Sequence, residues 1–124
     1  MTLEHTAWRL TRMISDGQTA LDMEAMEIDE QRAITAEFEP DDTGALRIAG
    51  SGGCNRYTAA CTVAGESLSI GPAASTRMMC PPEIMDREAR YFQLLGSAQR
   101  YEQDGAHLTI ICQTGELHFM PTKA

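Results

Sequence analysis

Two short stretches hold most of the residues able to do chemistry: SGGCNRY at 51–57 and ASTRMMCPP at 74–82. Thiols at Cys54 and Cys80 can make a structural bridge, a redox couple or part of a metal site. Zinc takes four converging N or S ligands. The four Cys, at 54, 61, 80 and 112, show no CxxC spacing and no His at ligand spacing, so no metal or cofactor is expected. A thioredoxin-like centre fails for the same reason, and for want of a βαβ context. His5, His107 and His118 are scattered, although His107 and His118 can approach across a terminal hairpin as a surface pair. GSGGC is a Gly-rich turn, with neither a GxSxG elbow nor a phosphate-binding loop nearby. The acids fall in turns and alternating strands, without a paired acid and base. The sequence shows no catalytic constellation, and the expectation is a protein that is not an enzyme.

Turn signals at 15–17, 40–44, 50–53, 64–65, 71–72, 104–105 and 114–115 divide the chain into short segments of period-2 or β-branched character. That rhythm predicts an antiparallel β domain. Strands are expected near 7–14, 33–39, 45–50, 56–63, 67–70, 98–103, 106–112 and 116–120. In AITAEFE, Ile34, Ala36 and Phe38 alternate with Thr35, Glu37 and Glu39, which buries one face. Hairpins should turn at 40–44 and 113–115. Segment 18–31 reads equally as a helical turn or an acidic surface excursion.

One stretch breaks the β rhythm. PPEIMDREARYFQLLG, 81–96, begins with Pro, carries Glu83 and Asp86 in its first turn and ends on Gly96. These are helix start and stop signals. Ile84, Glu88, Tyr91, Phe92 and Leu95 recur at helical spacing, with Met85 and Ala89 widening the apolar face. An apolar stripe of this kind must cover something, and a curved sheet is the obvious partner.

The 124 residues suit one domain, 1–124, around a single core. An apolar content of 43% rules out a disordered chain. The formal net charge of −8 argues against nucleic acid and anionic lipid, both of which call for a basic surface. The acids cluster at 22–30 and 37–42 and read as a solvated face. No apolar run approaches the ~20 residues of a transmembrane helix, and no signal-peptide pattern occupies 1–10.

Cys54 and Cys80 lie at strand-to-loop junctions. Cys61 shares strand parity with Tyr57, Ala59 and Val63, and Cys112 with Leu108 and Ile110, so both look like core thiols. Pairing loop with loop and strand with strand is the most sensible of three connectivities; unpaired buried thiols are the other outcome. Asn55 and Arg56, after two glycines, suit a backbone with positive φ and a side chain that bonds back to it. Arg77 is a candidate partner for a carboxylate or for the Cys54 loop.

Trp8-Arg9-Leu10, ITAEF, GSGGCNRY, LSIGPAASTRMMC, a helix with Glu88 and Phe92, and a closing LTI…GELHF pair together resemble the META domain family, which includes the HslJ-like heat-shock lipoproteins of bacteria. The likeness runs from Trp8 to Phe119; the acidic insert at 20–31, Cys61 and Cys112 fall outside the pattern. The resemblance implies a mainly β (α+β) fold: a small, partly open antiparallel barrel with one helix in the gap, similar to the cracked barrels of secretin pilot proteins. It implies structural roles for Trp8, Gly53, Cys54, Asn55, Tyr57, Ser75, Thr76, Arg77, Met78, Cys80, Glu88 and Phe92. Family members are typically envelope proteins tied to stress, antibiotic exposure, secretion or virulence, with no established reaction.

Cys54 and Cys80, each in a family-specific block, are expected to form a disulfide. Met78, Met79, Met85 and Phe92 are expected to line the gap between helix and sheet, where a partner protein or an apolar ligand would bind. The expected compartment is the periplasm or cell envelope if an export signal has been removed, and otherwise the cytoplasm. Two other functions compete: a thiol–disulfide active protein using Cys54 and Cys80, and a cytosolic structural domain.

Overall fold

A computed structural model describes residues 3–23 and 32–122. In chain order the strands are β1 (Thr6–Ser15), β2 (Gln18–Asp22), β3 (Thr35–Pro40), β4 (Leu46–Ser51), β5 (Arg56–Ala64), β6 (Ser67–Ile70) and β7 (Ala74–Ser75). The helix α1 (Pro82–Leu95) follows, then β8 (Ala98–Asp104), β9 (His107–Cys112) and β10 (Gly115–Pro121). All eight strands expected from alternation are present, and the helix is where its start and stop signals place it. The short strands β2 and β7 were not expected. The rest of the acidic segment, 24–31, lies outside the described residues.

Every pairing is antiparallel. Around the ring the order is β1, β3, β4, β5, β6, β8, β9, β10 and back to β1. The barrel is therefore closed, not partly open. Closure depends on the length of β1. Its first half pairs with β3, from Thr6↔Phe38 to Arg9↔Thr35. Its other edge pairs with β10 along nearly the whole strand, from Trp8↔Pro121 to Ser15↔Gly115. Closing a sheet this way removes the exposed edges that an open one would present. The narrowest seam joins β6 to β8, through Ser67↔Arg100 and a 3.0 Å bond from the Tyr101 N–H to the Glu66 carbonyl.

A β-bulge between Leu10 and Arg12 resets the parity of β1. Trp8 and Leu10 point inward before it, Met13 points inward after it, and Thr11 is buried at the irregularity with its hydroxyl donating to the His118 carbonyl. Elsewhere simple alternation holds. Ile34, Ala36 and Phe38 line the interior, as do Leu108, Ile110 and Cys112. On β5 the inward set runs Tyr57, Ala59, Cys61 and stops there; Val63, expected to continue it, is exposed where the strand passes the barrel rim. The first hairpin turns as expected, with the Asp41 carboxylate accepting from the Thr43 N–H and hydroxyl and the Ala45 N–H. Those bonds hold the Asp41 carboxyl below its ordinary pKa.

α1 does not fill a lateral gap. It lies across the barrel end formed by the close of β4, the start of β5 and the β9–β10 turn. A Cβ added to Gly52 would strike Glu88 and Phe92, and one added to Gly115 would meet Leu94 at 3.1 Å. Glu88, Tyr91, Leu94 and Leu95 form the buried face of the helix. The helix is a plug, and its Tyr91, Leu94 and Leu95 join the cluster of buried side chains in the barrel.

Trp8 is 3% exposed, and its indole N–H donates to the Thr6 hydroxyl at 2.8 Å. Trp8→Ala should lower stability by about 3–5 kcal/mol, read as a fall in the urea midpoint. The native protein should show the blue-shifted emission of a buried indole; emission at the wavelength of free tryptophan would contradict this packing.

Candidate functional site

The GSGG turn leaves β4 directly beneath α1. Gly52 has no room for a side chain: a Cβ would stand 2.8 Å from the Glu88 Cγ and 2.9 Å from Phe92. Gly53 has φ of 108°, a conformation L side chains rarely adopt. Together they let the backbone turn back under the helix and aim the next two N–H groups at Glu88.

Glu88 is 4% exposed, on the buried face of α1. Its Oε2 accepts from the Cys54 N–H at 3.0 Å and the Asn55 N–H at 2.7 Å; its Oε1 accepts from the Asn55 Nδ2 at 2.9 Å. A buried carboxylate is tolerated when it is bonded in this way. Asn55 carries the connection onward. Its Oδ1 accepts from the Thr76 hydroxyl at 2.9 Å and the Met78 N–H at 2.6 Å, and its Nδ2 also donates to the Met78 carbonyl at 3.3 Å. One Asn and one Glu thus tie three separate segments together.

Cys54 and Cys80 are joined as a disulfide, with a Cα–Cα distance of 6.1 Å. It closes the same loop that Asn55 holds. The Arg32 guanidinium lies 3.3 Å from the Cys80 Sγ and donates weakly to the Gly53 carbonyl. Below, the Tyr57 hydroxyl donates to the Thr35 carbonyl at 2.7 Å and pairs with the Tyr91 hydroxyl at 2.6 Å. Tyr57, Tyr91 and Phe92 form an aromatic cluster with centroids 5.3–5.8 Å apart, in which Tyr57 meets both partners edge-on and Tyr91 and Phe92 are tilted. Burial raises both tyrosine pKa values far out of the physiological range.

The structure therefore brings Gly53, Cys54, Asn55, Tyr57, Ser75, Thr76, Met78, Cys80, Glu88 and Phe92 into one neighbourhood, with Ser75 in register with Tyr57 through β7. Trp8 is not among them; it belongs to the barrel core. Arg77 is exposed and, among the described residues, pairs with neither a carboxylate nor the Cys54 loop. Met78, Met79, Met85 and Phe92 do line one cleft, of about 300 Å³, together with Asn55, Thr76 and Arg77. It lies between α1 and the β7 edge of the sheet with the segment that follows, and Ser75 and Glu88 line it too. It opens to solvent between the flank of α1 and segment 75–79, because the buried face of the helix is already seated on the barrel. Leu94, absent from the sequence-derived stripe, is part of that seat.

Cys61 and Cys112 are free and buried, so the strand-with-strand pairing does not form. Burial pushes the Cys61 thiol up to about 11 and the Cys112 thiol up to about 12. Among the described residues, no group of three or more His, Cys, Asp or Glu is arranged to hold a metal ion. No described helix is long and apolar enough to cross a membrane.

A small closed β-barrel, plugged by one helix and stapled at the plug by a buried carboxylate and a disulfide, is the class of protein these elements define. The META domain family model matches residues 1–124, and the chain belongs to that family. A protein from Burkholderia xenovorans, solved by NMR, is similar in fold at a TM-score of 0.79 and 24% identity, over 98% of this chain and 85% of that one. A second NMR structure aligns at 0.68 and 18% identity, over 98% and 95% of the two chains. A DUF4847 family protein from Bacteroides vulgatus ATCC 8482, solved by crystallography, aligns at 0.61 and 11% identity, over 98% and 96%. No curated protein matches significantly.

Replacing Glu88 tests the staple. Glu88→Ala strands three buried N–H donors and should cost about 3 kcal/mol or more. Glu88→Gln keeps one acceptor oxygen but sets an NH₂ against a donor, and should cost about 1–3 kcal/mol. Equal stability of both variants and the native chain in urea would contradict the role.

The two thiols give a pH signature. Unfolded Cys titrates near ~8.5, whereas the folded thiols hold their protons to about 11 and about 12. The unfolded chain then binds fewer protons at high pH, so this contribution is fully present below ~8.5 and is lost as pH rises toward the folded values. The buried tyrosines act in the same direction. The urea midpoint should fall between about pH 9 and 11, and iodoacetamide at pH 8 should label both thiols only in the unfolded chain. Rapid labelling of the native protein would contradict the burial.

Proposed function

We propose that the protein is a non-catalytic binding module of the bacterial envelope, in a stress-response or secretion-accessory role, and that it holds a partner protein through the methionine cleft. One observation carries the reading. Met78 is 56% exposed and Met79 is 87% exposed, yet their backbone is held by Asn55 and the disulfide. Flexible thioethers on a rigid frame are suited to gripping apolar side chains of varied shape. The cleft is open and shallow, which favours an extended segment of a partner over an enclosed lipid chain. Arg77 is the exposed charge at its rim, so the segment it suits carries an apolar anchor next to a carboxylate.

Disulfides persist in oxidising compartments, and the Cys54–Cys80 bridge supports an envelope location. The competing redox reading is disfavoured because Cys54 is buried and Cys80 half-buried under the loop they close. The test has two arms. Peptides selected from a random displayed library should converge on an apolar anchor and lose binding to Met79→Asp and to Arg77→Ala. A fluorescent fatty acid that binds saturably and is lost with Met79→Asp would replace the peptide with a lipid; no selected peptide and no fatty-acid binding would overturn the cleft. Fractionation with thiol trapping at lysis should find the protein in the envelope with Cys54 and Cys80 unlabelled. A cytosolic protein with both labelled would overturn the location.

A further inference from the structure

The outer face of the β9–β10 hairpin carries a side-chain arrangement that the methionine cleft does not use. His118 and His107 stack with ring centroids 5.3 Å apart, and the His118 Nδ1 stands 3.3 Å from the His107 Nε2. The other nitrogen of His118, Nε2, is 2.9 Å from the Glu116 Oε1. The Thr109 hydroxyl lies 3.5 Å from the His118 Nδ1. The His118 side chain is 18% exposed and that of Glu116 is 43% exposed, so the cluster is held on one side and open on the other.

We propose that His107 and His118 form a two-histidine site for Zn²⁺, with Glu116 positioning His118. The carboxylate fixes the tautomer. The Glu116 carboxylate accepts a hydrogen bond from the His118 Nε2–H, so a neutral His118 carries its lone pair on Nδ1. The His107 Nε2 stands 3.3 Å from that nitrogen, and with its proton on Nδ1 His107 presents a second lone pair beside the first. Two such nitrogens repel unless a proton or a cation stands between them. The spacing favours zinc. Imidazole nitrogens at ~2.0–2.1 Å from a tetrahedral Zn²⁺ stand about 3.3–3.4 Å apart, whereas a square-planar cation would draw them to about 2.9 Å. A carboxylate on the distal nitrogen of a ligating His is the usual outer support of a zinc site.

The neighbouring charges divide. Arg12 is in register with His118 across β10 and opposes a cation. Glu102 and Asp104, on β8, are in register with Thr109 and His107; Arg100 pairs with Glu102 at 3.0 Å, and the three carboxylates, Glu116 included, outnumber the two arginines. Two protein ligands leave two positions for water or for a donor from another molecule. The ligands come from adjacent strands, so the ion would brace the last hairpin.

Zn²⁺ alone, added to the full chain and followed by calorimetry and by the histidine ring resonances in NMR, should bind one per chain and move the His107 and His118 signals but not those of His5. His107→Gln and His118→Gln should each weaken binding at least tenfold. Glu116→Gln should weaken it about 10–100-fold with the His118 ring still responding. His5→Gln should change nothing. His107, His118 and Glu116 lie on the outer face of the hairpin and His5 in the exposed turn before β1, and unchanged far-UV circular dichroism will show that the variants fold. Zn²⁺ should raise the melting temperature of the native chain and not that of His107→Gln. Absence of binding at millimolar Zn²⁺, or binding that survives both histidine variants, would overturn the site.

Discussion

The Glu88 carboxylate is the constraint on which the rest of the plugged end depends. Placing an ionised group under a helix is costly unless its oxygens are filled. Here they are filled by two successive backbone N–H groups and one side-chain amide of the facing loop. That need dictates the sequence around it. The loop must approach too closely for a Cβ at Gly52 and must turn through positive φ at Gly53. Asn55 must follow, because its amide both donates to the carboxylate and accepts from segment 76–78.

The disulfide acts on the same loop by a different route. A bridge spanning a sequence separation of 26 restricts the unfolded chain by about 3.5 kcal/mol in the chain-entropy account. Hydrogen bonds to a charged group contribute about 1.5–3 kcal/mol each to the folded state. The two devices are of one order and act on different states, so neither replaces the other. The carboxylate sets where the loop lies; the bridge limits how far the chain can depart from that position. Tyr57 and Tyr91 extend the arrangement into the barrel, where the helix is bonded to a strand by hydroxyl groups rather than by packing alone.

Local features of this fold were legible in the sequence, and non-local ones were not. Strand alternation, the Pro–Gly limits of α1 and the Asp41 turn are written in neighbouring residues, and all eight principal strands follow from them. Closure depends on the first strand meeting the last, a pairing of Trp8 with Pro121 that no local pattern encodes. The Leu10–Arg12 bulge hides the burial of Met13 because it breaks the parity that a reader of alternation relies on. At the site, Glu88 was visible as an acid within an apolar stripe, but its partners lie 33 and 34 residues away on another element. The methionines were identified together as one lining, and the cleft they form opens between α1 and the segment around β7. Periodicity shows that a helix has an apolar face; it does not show that the face is wide enough to seat on a barrel and still line a cleft with its flank.

What remains available for recognition follows from what the framework consumes. The Glu88 oxygens accept three bonds, both ends of the Asn55 amide are engaged, and the Tyr57 hydroxyl bridges a carbonyl and a second hydroxyl. A ligand that competed for these groups would have to dismantle the loop that presents it, at a cost of several hydrogen bonds. The groups left over beside the site are apolar or free to move: Met78 and Met79, the flank of α1 at Met85, and the Arg77 guanidinium. Polarity here builds the platform, and contact is left to thioethers. On the proposed reading, a platform made this way would select its partner by apolar shape and by one charge at the rim.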